Sequence, residues 1–236
     1  MPTQNYLNEL YKKSSEFVVS RGYRGREEPS NKELEKYSSR FLEYIKDKKK
    51  LKYLEIGVGP GYLYNYFKNK TAICYGVDPC SYKPKDNNIV SDIKEIPDNT
   101  KFDIIVIQDV LEHLERPTSM LVKLKKLANK DALISCGFPN KDSFIAKKNK
   151  GKWRMIRPVG HIHYFSSKSI EILFKKTGWI TLKKYSYWGY PSLLDIIKNF
   201  DWNFKNPLKL IYRMFFYLII KEIILGKDQW YVLGLS

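Results

Sequence analysis

The sequence predicts an α/β protein built on a doubly wound, mostly parallel sheet, and three observations carry that expectation. An apolar run (Leu51, Tyr53, Leu54, Ile56) ends in three alternating glycines, Gly57, Gly59 and Gly61, and a helix-compatible segment from Tyr62 to Phe67 follows. A strand, a tight turn and a helix are written that way in open α/β sheets. Strand-like and helix-like segments then alternate through the middle of the chain, which predicts parallel strands with right-handed crossovers and helices on both faces. Finally, acidic and polar residues collect where the expected strands end, beginning with Asp78 after Ala72-Ile73-Cys74-Tyr75-Gly76-Val77. Ligands in such sheets bind beyond the carboxyl ends of the strands.

Taken in order, residues 1–50 read as an N-terminal helical cap. Tyr6, Leu7, Leu10, Tyr11, Ser14 and Phe17 recur at roughly helical spacing, and Leu34, Tyr37, Phe41, Leu42, Tyr44 and Ile45 form a second apolar stripe after Ser30, a plausible N-cap. The loop between them, Ser20 to Pro29, carries Tyr23 and Arg24; it reads either as a solvated linker or as a segment that touches an acidic substrate. The core, 51–187, is expected to hold strands near 52–57, 72–77, 88–90, 103–109 and 131–136, with helices near 61–68 and 118–129. Ser166 to Thr177 is another amphipathic pattern, stopped by Gly178, and Trp179 to Tyr185 reads as a strand.

An antiparallel last strand is expected at 229–236, within Gln229-Trp230-Tyr231-Val232-Leu233. Residues 188–228 before it are too many for a bare hairpin loop, so a helical insertion is expected there, with a long helix from Pro207 to Leu225. Lys209, Arg213, Tyr217 and Lys221 share one stripe of that helix and leave a wide apolar face. The uncharged stretch from Met214 to Ile220 is too short to span a bilayer. Burial in the domain or a dimer is one outcome, and a peripheral membrane contact is its rival.

Composition narrows the class. A length of 236 residues with 43 % hydrophobic side chains suits one decorated domain. Cys74, Cys80 and Cys136 show neither metal spacing nor a disulfide framework, and the N-terminus lacks a signal-peptide layout. A cytoplasmic protein is expected, a monomer or homodimer. The 42 Lys and Arg against 25 Asp and Glu give a net charge of +17, a field that attracts polyanions and anionic surfaces. Only Lys147 to Arg154, with Arg157 behind it, is dense enough to form a local basic patch.

The glycine stretch spells E-x-G-x-G-x-G from Glu55, not the G-x-G-x-x-G of dinucleotide sites, and in this it resembles motif I of the class I S-adenosylmethionine-dependent methyltransferases. Asp78 fits the ribose-binding carboxylate of that Rossmann-like family, with Pro79 beside it. Asp92-Ile93 fits the pair placed against the adenine. Phe102 to Leu114, containing Val110-Leu111-Glu112-His113, looks like the strand 4 signature of the ubiquinone-biosynthesis-like group (methyltransferase types 23 and 11). The resemblance covers roughly residues 50–187. It implies S-adenosyl-L-methionine as cofactor and S-adenosyl-L-homocysteine as product. The residues implied to bind the cofactor are Glu55, Gly57, Gly59, Gly61, Asp78, Pro79, Asp92, Ile93 and Gln108, the last toward the methionine part.

Methyl transfer to an alcohol needs a group to take up the acceptor's proton, and histidine titrates in the useful range. The chain has three histidines, His113, His161 and His163. All are expected at the pocket end, the latter two within Gly160-His161-Ile162-His163-Tyr164-Phe165-Ser166, which resembles the group's H-x-H-x-F-S segment. They are the candidate general bases. Glu112, His113, His161 and His163 could also supply metal ligands, but the displacement does not require an ion and no metal is expected. The acceptor is expected to be a small molecule, a sugar, or a phosphorylated, lipid-linked or nucleotide-linked compound. Strand 4 lacks the N/D-P-P-Y-type ending used on base amino groups, so nucleic acid is disfavoured. An RNA methyltransferase and a non-catalytic scaffold remain the alternatives.

Overall fold

The structure, a computed structural model, describes Thr3, Tyr6, Glu9 and residues 29–45, 50–79, 85–157, 160–187 and 229–236. The rest of the first N-terminal helical pattern, the Tyr23–Arg24 loop, Cys80 and the 188–228 insertion lie outside the described residues.

Helix α1 (Asn31–Leu42) begins where its sequence says. Ser30 accepts from the Glu33 backbone N–H while the Glu33 carboxylate reaches back to Ser30, a complete capping box. Strand β1 (Lys52–Ile56) then leads through the glycines into α2 (Tyr62–Lys68), followed by β2 (Ile73–Val77), β3 (Ile89–Val90) and β4 (Phe102–Gln108). Helix α3 (Pro117–Leu127) runs without a loop into β5 (Ala128–Pro139), a strand that starts earlier and ends later than the sequence suggests. A short helix, α4 (Phe144–Asn149), capped by Ser143, was not anticipated. Helix α5 (Ser167–Lys176), β6 (Ile180–Tyr187) and β7 (Gln229–Leu235) complete the described elements.

The seven strands are ordered β3-β2-β1-β4-β5-β7-β6. Strands β3, β2, β1, β4 and β5 pair in parallel. Strand β7 inserts between β5 and β6 and runs antiparallel to both. The expected doubly wound sheet with an antiparallel last strand is therefore the observed one. Strand order reverses between β1 and β4, and this is the position where open α/β sheets hold ligands.

Alternation along the strands covers both faces of the sheet, as strand geometry requires. Leu54, Ile56, Ile105 and Ile107 point to one face, under Leu121 and Leu124 of α3 and Ile170 and Phe174 of α5. Tyr53, Ile104 and Val106 point to the other, under Phe41 of α1 and Tyr64 and Phe67 of α2. Tyr53 and Phe67 stack with centroids 4.2 Å apart, a contact type that contributes about 0.5–1.5 kcal/mol beyond area burial. Trp179, just before β6, is buried and donates its indole N–H to the Leu121 carbonyl at 3.1 Å. That bond pins the sheet's far edge to α3.

Candidate active site

The glycine loop leaves the carboxyl end of β1. Gly57, Gly59 and Gly61 have φ of 81°, 53° and 86°, a region that costs residues with a Cβ about 1–2 kcal/mol each. At Gly57 space also demands glycine, because a Cβ there would sit 2.4 Å from Val110 Cγ2. The Gly59 N–H donates to Asp78 Oδ2 at 2.7 Å, so the buried carboxylate at the end of β2 is tied into the loop.

Glu55 lies beneath the loop, buried, with Oε2 accepting from the Tyr53 hydroxyl at 3.0 Å. Burial pushes its carboxyl up to about 8; the Tyr53 bond opposes this and the Asp78 charge adds to it. At neutral pH it is mostly a neutral acid. Pro79 is exposed. Asp92 is exposed too, and its carboxylate caps a short turn by accepting from the Lys94 N–H at 2.9 Å. The adjacent Ile93 is buried in the core beneath β2 and β3. Gln108, at the end of β4, accepts through Oε1 from the Tyr37 hydroxyl of α1 at 3.0 Å. Its amide fills the space that a side chain at position 137 would need, since a Cβ on Gly137 would lie 2.0 Å from Gln108 Nε2.

Immediately past β4, Asp109 turns the chain with φ 51°, and a single 3-10 turn, Leu111–His113, follows. The Glu112 carbonyl accepts from the N–H groups of Ile162 and His163 at 2.9 and 3.1 Å. These two bonds bring the sequence-distant segment 160–165 alongside the turn. The rings of His113 and His161 meet edge to face with centroids 4.7 Å apart. Each Nδ1 sits 2.9 Å from a backbone carbonyl, Gly160 for His113 and Met155 for His161. A carbonyl only accepts, so both Nδ1 atoms carry their proton and the lone pair resides on Nε2. Desolvation lowers the pKa of both imidazoles, that of His161 to about 4. Both are neutral at pH 7.

His163, stacked on Phe165, has a buried Nε2 without a hydrogen-bond partner among the described residues. Glu112 is also buried, its Oε2 equally unpartnered, and burial together with Asp109 pushes its carboxyl well above the usual range against the pull of Arg157.

The sequence-derived candidates therefore fall into two groups at the carboxyl ends of the strands. Glu55, the three glycines and Asp78 surround the β1–α2 turn. His113, His161 and His163 gather beyond β4, joined to the loop through the contact of Val110 with Gly57. Asp92 caps the turn after β3, and Ile93 packs in the core. Tyr37 and Asp109 were not singled out; Tyr37 belongs to an apolar stripe, and nothing in that pattern distinguishes its hydroxyl.

A family model described as a methyltransferase domain matches residues 26–184, more than half of the chain. An uncharacterised protein of Methanocaldococcus jannaschii is 26 % identical over 133 residues, 55 % of this chain, and the chain spans 65 % of that relative's length. Among solved structures, a SAM-dependent methyltransferase from Archaeoglobus fulgidus is 19 % identical with a TM-score of 0.61, covering 94 % of this chain and 99 % of that one. The magnesium protoporphyrin IX methyltransferase of Synechocystis, crystallised with S-adenosylhomocysteine, is 12 % identical with a TM-score of 0.61 and covers 99 % of both chains. At these identities the structural likeness speaks for the fold.

Proposed function

This chain belongs to the methyltransferase-domain family, and from that premise we propose that it methylates an oxygen of its acceptor, using S-adenosylmethionine and a histidine base. The residues fit the cofactor. A positive-φ glycine loop closes over the end of β1, and Asp78, held by the Gly59 N–H, presents a carboxylate to a ribose beyond β2. When bound, S-adenosylmethionine supplies a methyl group on a sulfonium, already a good leaving group. The chain's own residues supply what remains.

Gly57, Gly59 and Gly61 admit the ligand to the backbone, and Asp78 accepts from its ribose hydroxyls. The acceptor lies against the histidine cluster, where His113 or His161 takes the hydroxyl proton on Nε2 as the oxygen attacks. Both rings are neutral at pH 7 and fixed in orientation by their Nδ1–H bonds; the lowering of His161 to about 4 makes it a weak proton acceptor, so His113 is the better placed base of the two. The acceptor is a small molecule, sugar, or lipid- or nucleotide-linked compound. A phosphorylated one is favoured because the exposed Lys147, Lys148, Lys150, Lys152, Arg154 and Arg157 precede His161. The observation that carries the reading is the pair of neutral, oriented imidazoles one contact away from the glycine loop.

The test is mass spectrometry on a cell extract incubated with the protein and S-adenosylmethionine. A product heavier by one CH2 with the methyl on oxygen is expected. Methylation confined to nitrogen, carbon or RNA would refute the acceptor class.

A further inference from the structure

We propose that Arg157 anchors the acceptor: its guanidinium pairs with a phosphate ester that the acceptor carries and so holds a nearby hydroxyl against His113. The proposal rests on the reading that the acceptor lies against the histidine cluster. Arg157 is exposed and begins the turn that leads into His161. Its carbonyl accepts from the N–H groups of Gly160 and His161 at 2.9 and 2.8 Å, and its own N–H donates to the Tyr164 hydroxyl at 3.1 Å. The same stretch carries the carbonyls that orient both rings, Met155 for His161 and Gly160 for His113. The backbone of residue 157 is therefore held in place relative to the two imidazoles, and its side chain is the part left to meet a ligand.

The charge of Arg157 is felt inside the cluster. Burial is the main cause of the shifts at Glu112, His113 and His161, and the guanidinium acts on all three: it opposes the rise of the Glu112 carboxyl and adds to the lowering of both imidazoles. Yet Arg157 makes no ion pair among the described residues, and Glu112 Oε2 is not bonded to it. A planar fork of donors beside the cluster, open to solvent, is suited to an oxyanion that can accept two parallel bonds. Local charge selects a dianion. From Ser143 to Gly160 the chain holds six Lys and Arg and no Asp or Glu. Trp153 and Met155 root this segment in a small apolar cluster with Ala146, while Lys152, Arg154 and Arg157 are exposed. Such a field attracts a doubly charged phosphate ester more strongly than a carboxylate. A bound dianion also offsets the guanidinium's effect on both imidazoles, so the base strengthens as the acceptor arrives.

The experiment titrates inorganic phosphate into the full chain at neutral pH, with S-adenosylhomocysteine present, and follows the nitrogen–proton correlation signals of the imidazoles, which three histidines keep few enough to assign. Wild type, Arg157→Gln and Lys176→Gln are compared; the last removes an exposed charge from the end of α5. The His113 and His161 signals should move saturably in wild type and in Lys176→Gln, with phosphate affinity about tenfold weaker or more in Arg157→Gln. No response in wild type, equal affinity in Arg157→Gln, or an equal loss in both variants would overturn the anchor. Acetate binding as tightly as phosphate would overturn the phosphate ester. Should Arg157→Gln lose S-adenosylhomocysteine binding, Arg157→Lys replaces it; that change keeps the charge without the fork and must weaken phosphate, an unchanged affinity counting against the site. The titration involves no methyl transfer, so the two readings fail separately. Phosphate held by Arg157 with methylation only on nitrogen would end the O-methylation reading and leave the anchor. An uncharged acceptor methylated on oxygen equally well by wild type and Arg157→Gln would do the reverse.

Discussion

Of the two regions of the proposed site, the glycine loop offers its backbone and the Glu112–His113–His161 cluster offers its side chains. The loop's positions are set by φ and by the space a Cβ would occupy, and its one buried carboxylate in contact, Asp78, is bonded to the Gly59 N–H. The cluster is built the other way. Its backbone groups fix the register, its Nδ1 atoms are committed to carbonyls, and it offers two imidazole rings beside a Glu112 carboxyl oxygen, Oε2, that is buried without a partner among the described residues. A loop made of main chain can serve one cofactor across many sequences. A cluster of titratable side chains is where an individual chain sets its acceptor and its chemistry.

The comparison breaks if damage to one region reaches the other. The largest effect is expected at the cluster, where His113→Gln should lower kcat by about 10²–10⁴ while S-adenosylhomocysteine affinity stays near the wild-type value. Steady-state rates alongside calorimetry test this, and a parallel loss of cofactor binding would merge the two regions into one. Gly57→Ala is the converse probe, because position 57 touches Val110 as well as lying in the loop. The left-handed backbone alone should cost about 1–2 kcal/mol of stability, measured by denaturant unfolding. Both cofactor affinity and turnover should fall, since the added methyl must displace Val110.

A pH-dependent effect separates the regions electrostatically. Glu55 is raised from 4.5 to about 8, so between those values the folded chain holds a proton that the unfolded chain has released. Its contribution makes stability fall as pH rises through that window. His161 acts oppositely. Lowered from 6.5 to about 4, it makes stability fall as pH drops through its own window, and the two slopes oppose each other from 4.5 to 6.5. The readable quantity is the difference between wild type and Glu55→Gln. The variant should gain relative stability steadily from pH 4.5 to 8, and a pH-independent difference would contradict the buried, raised carboxyl.

How legible each region was in the sequence follows from how it is built. The glycine loop is local: strand, turn and helix are adjacent in the chain, and Asp78 follows at the end of the next strand. Its spacing could therefore be read directly, as could the Ser30 cap with Glu33. The cluster is not local. Its halves, Glu112–His113 and Gly160–His163, meet only because the turn after β4 accepts two N–H groups from the segment beyond β5 and α4. The histidines could be named, but neither their Nδ1 partners nor the burial of Glu112 leaves a trace in the sequence. Gln108 shows the same limit: a residue implied to contact the cofactor is bonded to Tyr37, across a packing of α1 that periodicity cannot foresee. Asp92, implied by the resemblance to face the adenine, is exposed and caps the turn that Glu95 completes, a detail its position in the motif does not show.

The measurement that bears most directly on the two-region account is calorimetric titration of S-adenosylhomocysteine into wild type and Asp78→Ala, with His161→Gln alongside. Charge-assisted hydrogen bonds contribute about 1.5–3 kcal/mol, so Asp78→Ala should weaken binding roughly ten- to hundredfold while His161→Gln leaves it unchanged. Equal affinity in wild type and Asp78→Ala would contradict the placement of the cofactor at the glycine loop.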